Sequence, residues 1–364
     1  MSSTAIPSSM KAVVIQHPLE RNFGNLSIEL RPVPTVESLS PTQVLIKVRA
    51  VSLNARDAQI ASGRYPAPIQ VQAGIVAGSD AAGDVVAAGS RVERVRVGDK
   101  VTPLFAQSFL HGQYDPDYQK NGLGGGIDGV LSEYFVCDQD GVVPMPKHLS
   151  YVEACTSVIT GVTSWHCLYG HPGATLQSGQ TVLVLGTGGV SIYAAQIALA
   201  SGCRVIATSS SDEKLDRIRR ELGVHDTVNY RTHPEWEKQV IEKNGGRGVD
   251  HVIEIGGAGT LVRSIRSCVP GGNVWIVGYM SDYDGSSSSG QESPEYAKEI
   301  LYSQAVVRGV VCGSRDMFED LIRCVETNKI VPVVDKVFPF DQVQEAYRYL
   351  DSGKHFGKVC IEFP

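Results

Sequence analysis

No two of the eight cysteines stand closer than twelve residues apart, so the chain has no CxxC pair. Structural zinc sites usually pair their ligands at a spacing of roughly two to four residues, and disulfide frameworks belong to small secreted chains. Neither is supported, and scattered reduced core cysteines are expected. No run approaches the ~18 apolar residues of a membrane helix. The opening stretch from Met1 to Met10 has no positive segment leading into an apolar one, so a secretory leader is not expected. A soluble, cytoplasmic chain follows as the expectation. Basic charge is also scarce: 33 Lys and Arg face 39 Asp and Glu for a net charge of −6, and the longest basic cluster is the short run Arg217 to Arg220. That argues against a nucleic-acid partner. The 38 glycines and 18 prolines show no G-X-Y period, which removes a collagen-like reading.

What is present is material for buried cores: 364 residues, 42% hydrophobic and 20% charged. At about 100–200 residues per domain this predicts two domains. Lys11–Ile15, Leu26–Leu30, Gln43–Val51, Gly83–Gly89, Gly98–Val101 and Leu131–Val136 are short β-branched runs separated by Gly and Pro, and they read as strands of a β-rich first domain. From about Tyr151 the texture changes to strands alternating with helical period. Thr181–Leu185, Arg204–Thr208, Val249–Ile255, Asn273–Val277 and Ala305–Val311 are the strands; Val190–Ser201 and Asp212–Glu221 read as helices. This alternation predicts a parallel sheet covered by helices. The closing segment predicts helices over Met317–Thr327 and Asp341–Leu350 and strands over Asp335–Phe338 and Lys358–Phe363. The serine-rich run Gly285–Gly290 suits a surface loop.

The first of the later strands runs into Gly186, Thr187, Gly188, Gly189, Val190 and Ser191, then a helix. Strand, glycine turn and helix are the order a dinucleotide pyrophosphate requires, because glycines admit the phosphates to the backbone and the helix N-terminus offers free N–H groups. Ser191 replaces the third glycine of the simple pattern; a small hydroxyl still permits close packing and adds a donor. An NAD site usually places an acid about 20 residues on, at the end of the second strand. Here Thr208 is followed by Ser209, Ser210 and Ser211. Ser210 with Glu213 fits a helix capping box, which puts Asp212 in the first helical turn. Ser209, Ser210 and Lys214 are then the candidates for a 2′-phosphate, with Tyr230 as a second wall, and NADP(H) is the expected cofactor.

Several motifs occur in one order: Ser52–Asp57 with Ser62–Tyr65, Gly78–Gly83, Val97–Val101, Thr160–Trp165, Gly186–Val190 and Phe356–Val359. Together they resemble the medium-chain dehydrogenase/reductase superfamily over nearly the whole chain, and most closely its zinc-independent, quinone oxidoreductase-like branch. The resemblance implies an α/β architecture: a GroES-like β-rich catalytic domain (1–155), a Rossmann domain with a doubly wound parallel sheet (156–312), and C-terminal elements returning to the first domain (313–364). In the zinc-dependent members of the superfamily a Cys stands at the place of Asn54, a His-Glu pair at Ser79 and Asp80, and a Cys or Asp near Ile159. Their cysteine-bearing lobe corresponds to the cysteine-free Gln107–Ile127 here. No metal is therefore expected.

The resemblance further implies hydride transfer in a cleft between the domains, with Asn54 and Tyr65 as polar catalytic residues whose alternatives are a turn residue and a packing aromatic. It places Thr163, Gly278, Val311 and Cys312 at the cofactor and brings Lys358 toward the pyrophosphate, an exposed surface lysine being the equal alternative. Arg56 and Asp57 read as a structural ion pair or cap, with a smaller chance of touching substrate. The expected activity is NADPH-dependent reduction of an enone, quinone or related carbonyl compound. A zinc-free alcohol dehydrogenase and a non-catalytic NADPH-binding protein are the alternatives. A small-molecule substrate is the expected partner. A homodimer is expected, paired through the apolar edge strand near Ala305–Val311.

Overall fold

The computed structural model describes residues 6–65, 70–279 and 296–364 of the chain; the serine-rich run Gly285–Gly290 lies outside them. The chain divides into two compact units, one made of Met1–Val162 with Gly313–Pro364 and the other of Thr163–Cys312. The first break thus lies seven residues past the expected 155/156, inside a helix, and the second falls at 312/313.

The first unit opens with β1 (Ser9–Ile15), β2 (Leu26–Pro32) and β3 (Gln43–Leu53), followed by the short helix α1 (Ala55–Ala61). Next come β4 (Ile75–Val76), β5 (Asp80–Ala88), β6 (Lys100–Pro103), β7 (Tyr134–Asp138) and β8 (Val142–Pro144). The short helix α2 (Tyr151–Ala154) carries a capping box between Ser150 and Glu153, and α3 (Thr160–Tyr169) carries the chain into the second unit.

In the second unit strand and helix alternate: β9 (Thr181–Leu185), α4 (Gly189–Ala200), β10 (Arg204–Ser209), α5 (Asp212–Leu222), β11 (Asp226–Asn229) and α6 (Trp236–Lys243). Then follow β12 (Val249–Glu254), α7 (Leu261–Ser267), β13 (Cys268–Ile276), α8 (Tyr296–Ser303) and β14 (Val306–Gly309). The six strands pair in parallel in the order β11-β10-β9-β12-β13-β14. Both faces are covered, which is why β9 is an uninterrupted Thr-Val-Leu-Val-Leu run buried at every position. This is the doubly wound Rossmann sheet, with its order reversing between β9 and β12.

The chain then returns to the first unit through α9 (Arg315–Asn328), β15 (Val334–Pro339), α10 (Val343–Asp351) and β16 (Lys358–Glu362). β16 pairs antiparallel with β3, setting Val359 against Leu53 and Cys360 against Ser52. That register completes a sheet ordered β15-β16-β3-β5-β6-β8, with β7 also paired to β3. Phe338, Phe340, Tyr347 and Phe363 from the returning segment join Val51, Leu53, Ile60 and Leu131 in the main core of this unit. Burying such side chains contributes about 1.5–3 kcal/mol each, so the last 50 or so residues are part of the first unit's stability. No helix among the described residues is long and apolar enough to cross a membrane.

Candidate active site: a glycine turn and a buried ion network

In the second unit the expected nucleotide residues gather at the C-terminal ends of the parallel strands, where open α/β sheets bind ligands. Gly186 leaves β9 with φ +73°, a left-handed conformation that favours glycine, and a Cβ there would meet Ile255 Cδ1 at 3.3 Å. Gly188 is the N-cap of α4, and a Cβ built on it meets nothing within 4 Å. The turn is therefore an open cradle at a helix N-terminus, shaped as a pyrophosphate needs. Gly278, beyond β13, lies against the backbone of Ile255 and so shares a neighbour with Gly186. The Ser164 hydroxyl donates to Val190 O at 3.0 Å, tying the helix that carries the buried Thr163 to the start of α4. Cys312, with φ +50°, meets Nδ1 of His166 through its carbonyl at 2.5 Å, and Val311 beside it is exposed. Thr187 is buried within the turn.

Two details of this half differ from expectation. Ser191 is buried and spends its hydroxyl on Leu185 O at 2.6 Å, so it serves close packing and offers no donor outward. The N-cap of α5 is Ser211, whose Oγ accepts from Lys214 N, so Ser210 and Glu213 form no capping box. Asp212 does fall in the first turn, but its carboxylate accepts from Asn229 Nδ2 at 2.7 Å. Ser209 ends β10, its carbonyl accepts from Tyr230 N at 3.1 Å, and Lys214 follows in the first turn of α5. Ser209 and the exposed Tyr230 thus adjoin, Ser210 and Lys214 flank the cap of α5, and β10 ends on serine rather than on a carboxylate.

Sequence reasoning missed Glu254. This fully buried residue at the end of β12 accepts from Gly256 N at 2.6 Å, Gly257 N at 3.1 Å and the Thr260 hydroxyl at 2.6 Å, and also from Ser264. It fixes the turn that follows β12. The only signal was an acid closing the Val-Ile-Glu end of the strand, shortly before two glycines.

In the first unit the structure corrects the expectation for Lys358. The surface-lysine alternative fails, because the residue is 4% exposed and its ammonium donates to Asn54 Oδ1 at 2.6 Å and Leu53 O at 2.8 Å. The cause is the β16–β3 register, which sets Lys358 beside the end of β3. Asp80 completes the group, with Oδ2 3.6 Å from the ammonium and accepting from Asn54 Nδ2 at 2.8 Å and Ser52 Oγ at 2.9 Å. Asn54 Nδ2 also approaches Ser79 Oγ at 3.4 Å, and Ser79 donates to Asp57 Oδ1 at 2.8 Å. Asp57 accepts further from Asn54 N at 2.8 Å and from Arg56 Nη1 at 3.2 Å. The network therefore runs from Lys358 to Arg56 with two cations and two carboxylates. Burial pushes the Asp80 carboxyl up to about 6 against the pull of Lys358 and Asn54.

Asn54 is thus held as a buried network residue, its amide oxygen on Lys358 and its amide nitrogen on Asp80. Tyr65 is half-buried, packs against the main core and lines a cavity of about 400 Å³ with Ile60, Gly63 and Val71. Among the described residues no three His, Cys, Asp or Glu side chains cluster so as to hold a metal ion.

Comparison with known proteins matches residues 40–147 to the alcohol dehydrogenase GroES-like domain and residues 189–327 to the zinc-binding dehydrogenase domain. A zinc-type alcohol dehydrogenase-like protein of Schizosaccharomyces pombe is 40% identical over 93% of this chain and 96% of its own length. A quinone oxidoreductase of Pseudomonas aeruginosa is 31% identical over 64% of this chain and 63% of its own. Among solved structures, a putative alcohol dehydrogenase from Sinorhizobium meliloti 1021 superposes with a TM-score of 0.87 at 34% identity, covering 99% of this chain and all of the other.

Proposed function

The chain is an oxidoreductase of the medium-chain dehydrogenase/reductase family, in its quinone oxidoreductase-like branch, and from that premise we propose that it reduces an enone, quinone or related carbonyl compound with NADPH and without a metal. The observation that carries this reading is the buried Lys358–Asn54–Asp80 group. An ammonium 2.6 Å from Asn54 and 3.6 Å from Asp80 already supplies the positive charge these donors can balance, and none of the three offers sulfur or imidazole. A Lewis-acid zinc needs three protein ligands and an open position.

NADPH, when bound, supplies the hydride. The residues that would hold it are the Gly186–Gly189 turn at the pyrophosphate, and Ser209, Ser210, Lys214 and Tyr230 at the 2′-phosphate, where β10 ends on serine rather than on a carboxylate. Conjugation in the substrate delocalises the negative charge that develops on its oxygen, so reduction does not require the strong base that alcohol oxidation would. Tyr65, partly buried against the core of the first unit, is assigned to meet that oxygen.

We also propose a homodimer through the second unit. β14 is an edge strand, and Leu301, Tyr302 and Val306 on and beside it are exposed. An unpaired apolar edge of this kind is covered when a second copy adds its own β14.

The nucleotide part is tested by fluorescence titration with NADPH and NADH. The wild type is expected to favour NADPH by at least ~10-fold, and Ser210→Asp to reverse the preference by placing a carboxylate at the ribose. Equal binding of the two nucleotides, unaltered by Ser210→Asp, would overturn the assignment.

A further inference from the structure

Arg56 carries a charge that its surroundings use on one side only. Its side chain is nine-tenths buried. Nη1 donates to Leu123 O at 2.9 Å and to Asp57 Oδ1 at 3.2 Å, which anchors the guanidinium by one nitrogen. Nε and Nη2 are shielded from solvent and have no partner. Arg31, Arg204 and Arg315 each leave a buried Nε unpartnered, but among the described residues Arg56 alone leaves two adjacent guanidinium nitrogens open. The aromatic ring of Phe105 lies 4.6 Å from its Cζ and that of Tyr65 5.7 Å, both within cation–π reach.

An arginine left so in a low-dielectric setting is costly, because buried donors without acceptors forfeit their hydration and gain nothing in exchange. Nor does Asp57 relieve it. That carboxylate already takes Ser79 and the Asn54 amide, and it meets Arg56 end-on through Nη1. The Tyr347 hydroxyl, fully buried among the same charges, also has no partner. The Nε–Nη2 edge presents two parallel N–H groups in a fixed plane, the arrangement that matches the two oxygens of a carboxylate. Tyr65, one of these two rings, is the residue assigned above to the substrate oxygen.

We propose that the Nε–Nη2 edge of Arg56 recognises a carboxylate on the reducible substrate, so that the substrate is a conjugated carbonyl compound that also carries an acid group. The inference rests on the reductase reading for what is reduced, but it is read out by binding alone. Because Arg56 and Asp57 balance each other, recognition comes from the paired donors and their rigidity more than from net charge.

The test is calorimetric titration of the full chain with cinnamate and with cinnamamide, which share shape and conjugation and differ in charge, in the presence and absence of NADP+. The wild type is expected to bind cinnamate at least ~10-fold more tightly, the discrimination a bidentate charge-assisted pair supplies. Arg56→Gln is expected to bring the ratio to about one, and Arg56→Lys, which keeps the charge but loses the fork, to leave an intermediate ratio. A ratio near one in the wild type would mean that an ordered water only occupies this edge, and would overturn the proposal. So would a ratio unchanged in Arg56→Gln. If Arg56→Gln does not fold, the wild-type ratio and Arg56→Lys decide. A cinnamate preference in a protein that binds no NADP+ would sink the nucleotide reading and leave Arg56 standing.

Discussion

Replacing Lys358 with methionine removes an ammonium from the interior while leaving Asp80 in place. At 3.6 Å the attraction between the two charges is about 5 kcal/mol at an effective dielectric constant of about 20. Removing one member of a buried pair typically costs about 3–5 kcal/mol, because the remaining charge is left uncompensated. The cost depends on pH with a definite sign. In the wild type the Asp80 carboxyl is raised from 3.8 to about 6, so it contributes stability below its unfolded value, and that contribution is lost as pH rises through 6. The difference is worth roughly 3 kcal/mol. Without Lys358, which pulls this carboxyl down, Asp80 holds its proton to higher pH still. Lys358→Met is therefore expected to cost about 3–5 kcal/mol at pH 8. At pH 5, where Asp80 is neutral, only the bonds to Asn54 and Leu53 are lost, at about 1–3 kcal/mol. Urea unfolding at the two pH values, with Asp80→Asn and the double variant Asp80→Asn/Lys358→Met alongside, is the assay. The double variant is expected to recover much of the pH 8 loss. A cost below about 1 kcal/mol, or one equal at both pH values, would refute the reasoning.

Gly188→Val adds atoms where a Cβ meets nothing, so it is expected to fold with a melting temperature near wild type and yet lose NADPH binding by at least ~100-fold in a fluorescence titration. His171 is buried with both ring nitrogens unpartnered, stacked 4.9 Å from Trp275, and burial holds its imidazole down to about 4. Its neutral form is the folded one, so stability is expected to fall as pH drops from 6.5 toward 4, and His171→Phe to flatten that fall in thermal melts. Tyr302→Asp with Val306→Asp charges the exposed edge of the second sheet and is expected to give monomer by light scattering at micromolar concentration, where the parent is expected to be a dimer. Ser211→Ala removes the cap of α5 and is expected to cost about 1 kcal/mol in urea unfolding.

The parallel sheet was legible because its strands are short, β-branched and largely buried runs that alternate with helical period. Thr181–Leu185 is both the expected strand and the observed one, and Val249–Glu254 differs from its expectation only at the end. The glycine turn was legible because position and residue type both follow from backbone geometry. Less legible was β11, only Asp226–Asn229, which holds its place through parallel pairing with β10 more than through its own pattern. Gly98–Val101 was placed early because the turn glycine carries the signal, whereas the paired residues are Lys100–Pro103. The cap at Ser211 was missed because three consecutive serines satisfy the same local rule, and the choice among them is made by where β10 ends.

Only the Arg56–Asp57 end of the ion network was legible from local pattern, as an ion pair and a helix cap; the Lys358 end was not. Lys358 and Asn54 are 304 residues apart in sequence, and only the β16–β3 register brings them together. Alone, each fits a bland reading, a surface lysine or a turn asparagine. The same is true of Arg56, whose neighbour Asp57 suggests a closed pair, while the geometry leaves two of its three nitrogens without a partner.

The central claim, a metal-free NADPH-dependent reductase of conjugated carbonyl compounds, is tested most directly by following NADPH absorbance after the protein has been dialysed against a chelator. The substrates are 1,4-benzoquinone, trans-2-hexenal and cinnamate, with NADP+ and an alcohol at high pH as the opposing assay. Oxidation of NADPH by at least one conjugated substrate, at a rate the chelator leaves unchanged, is the predicted result. Activity confined to the alcohol direction, abolished by the chelator and restored by zinc, would contradict the account.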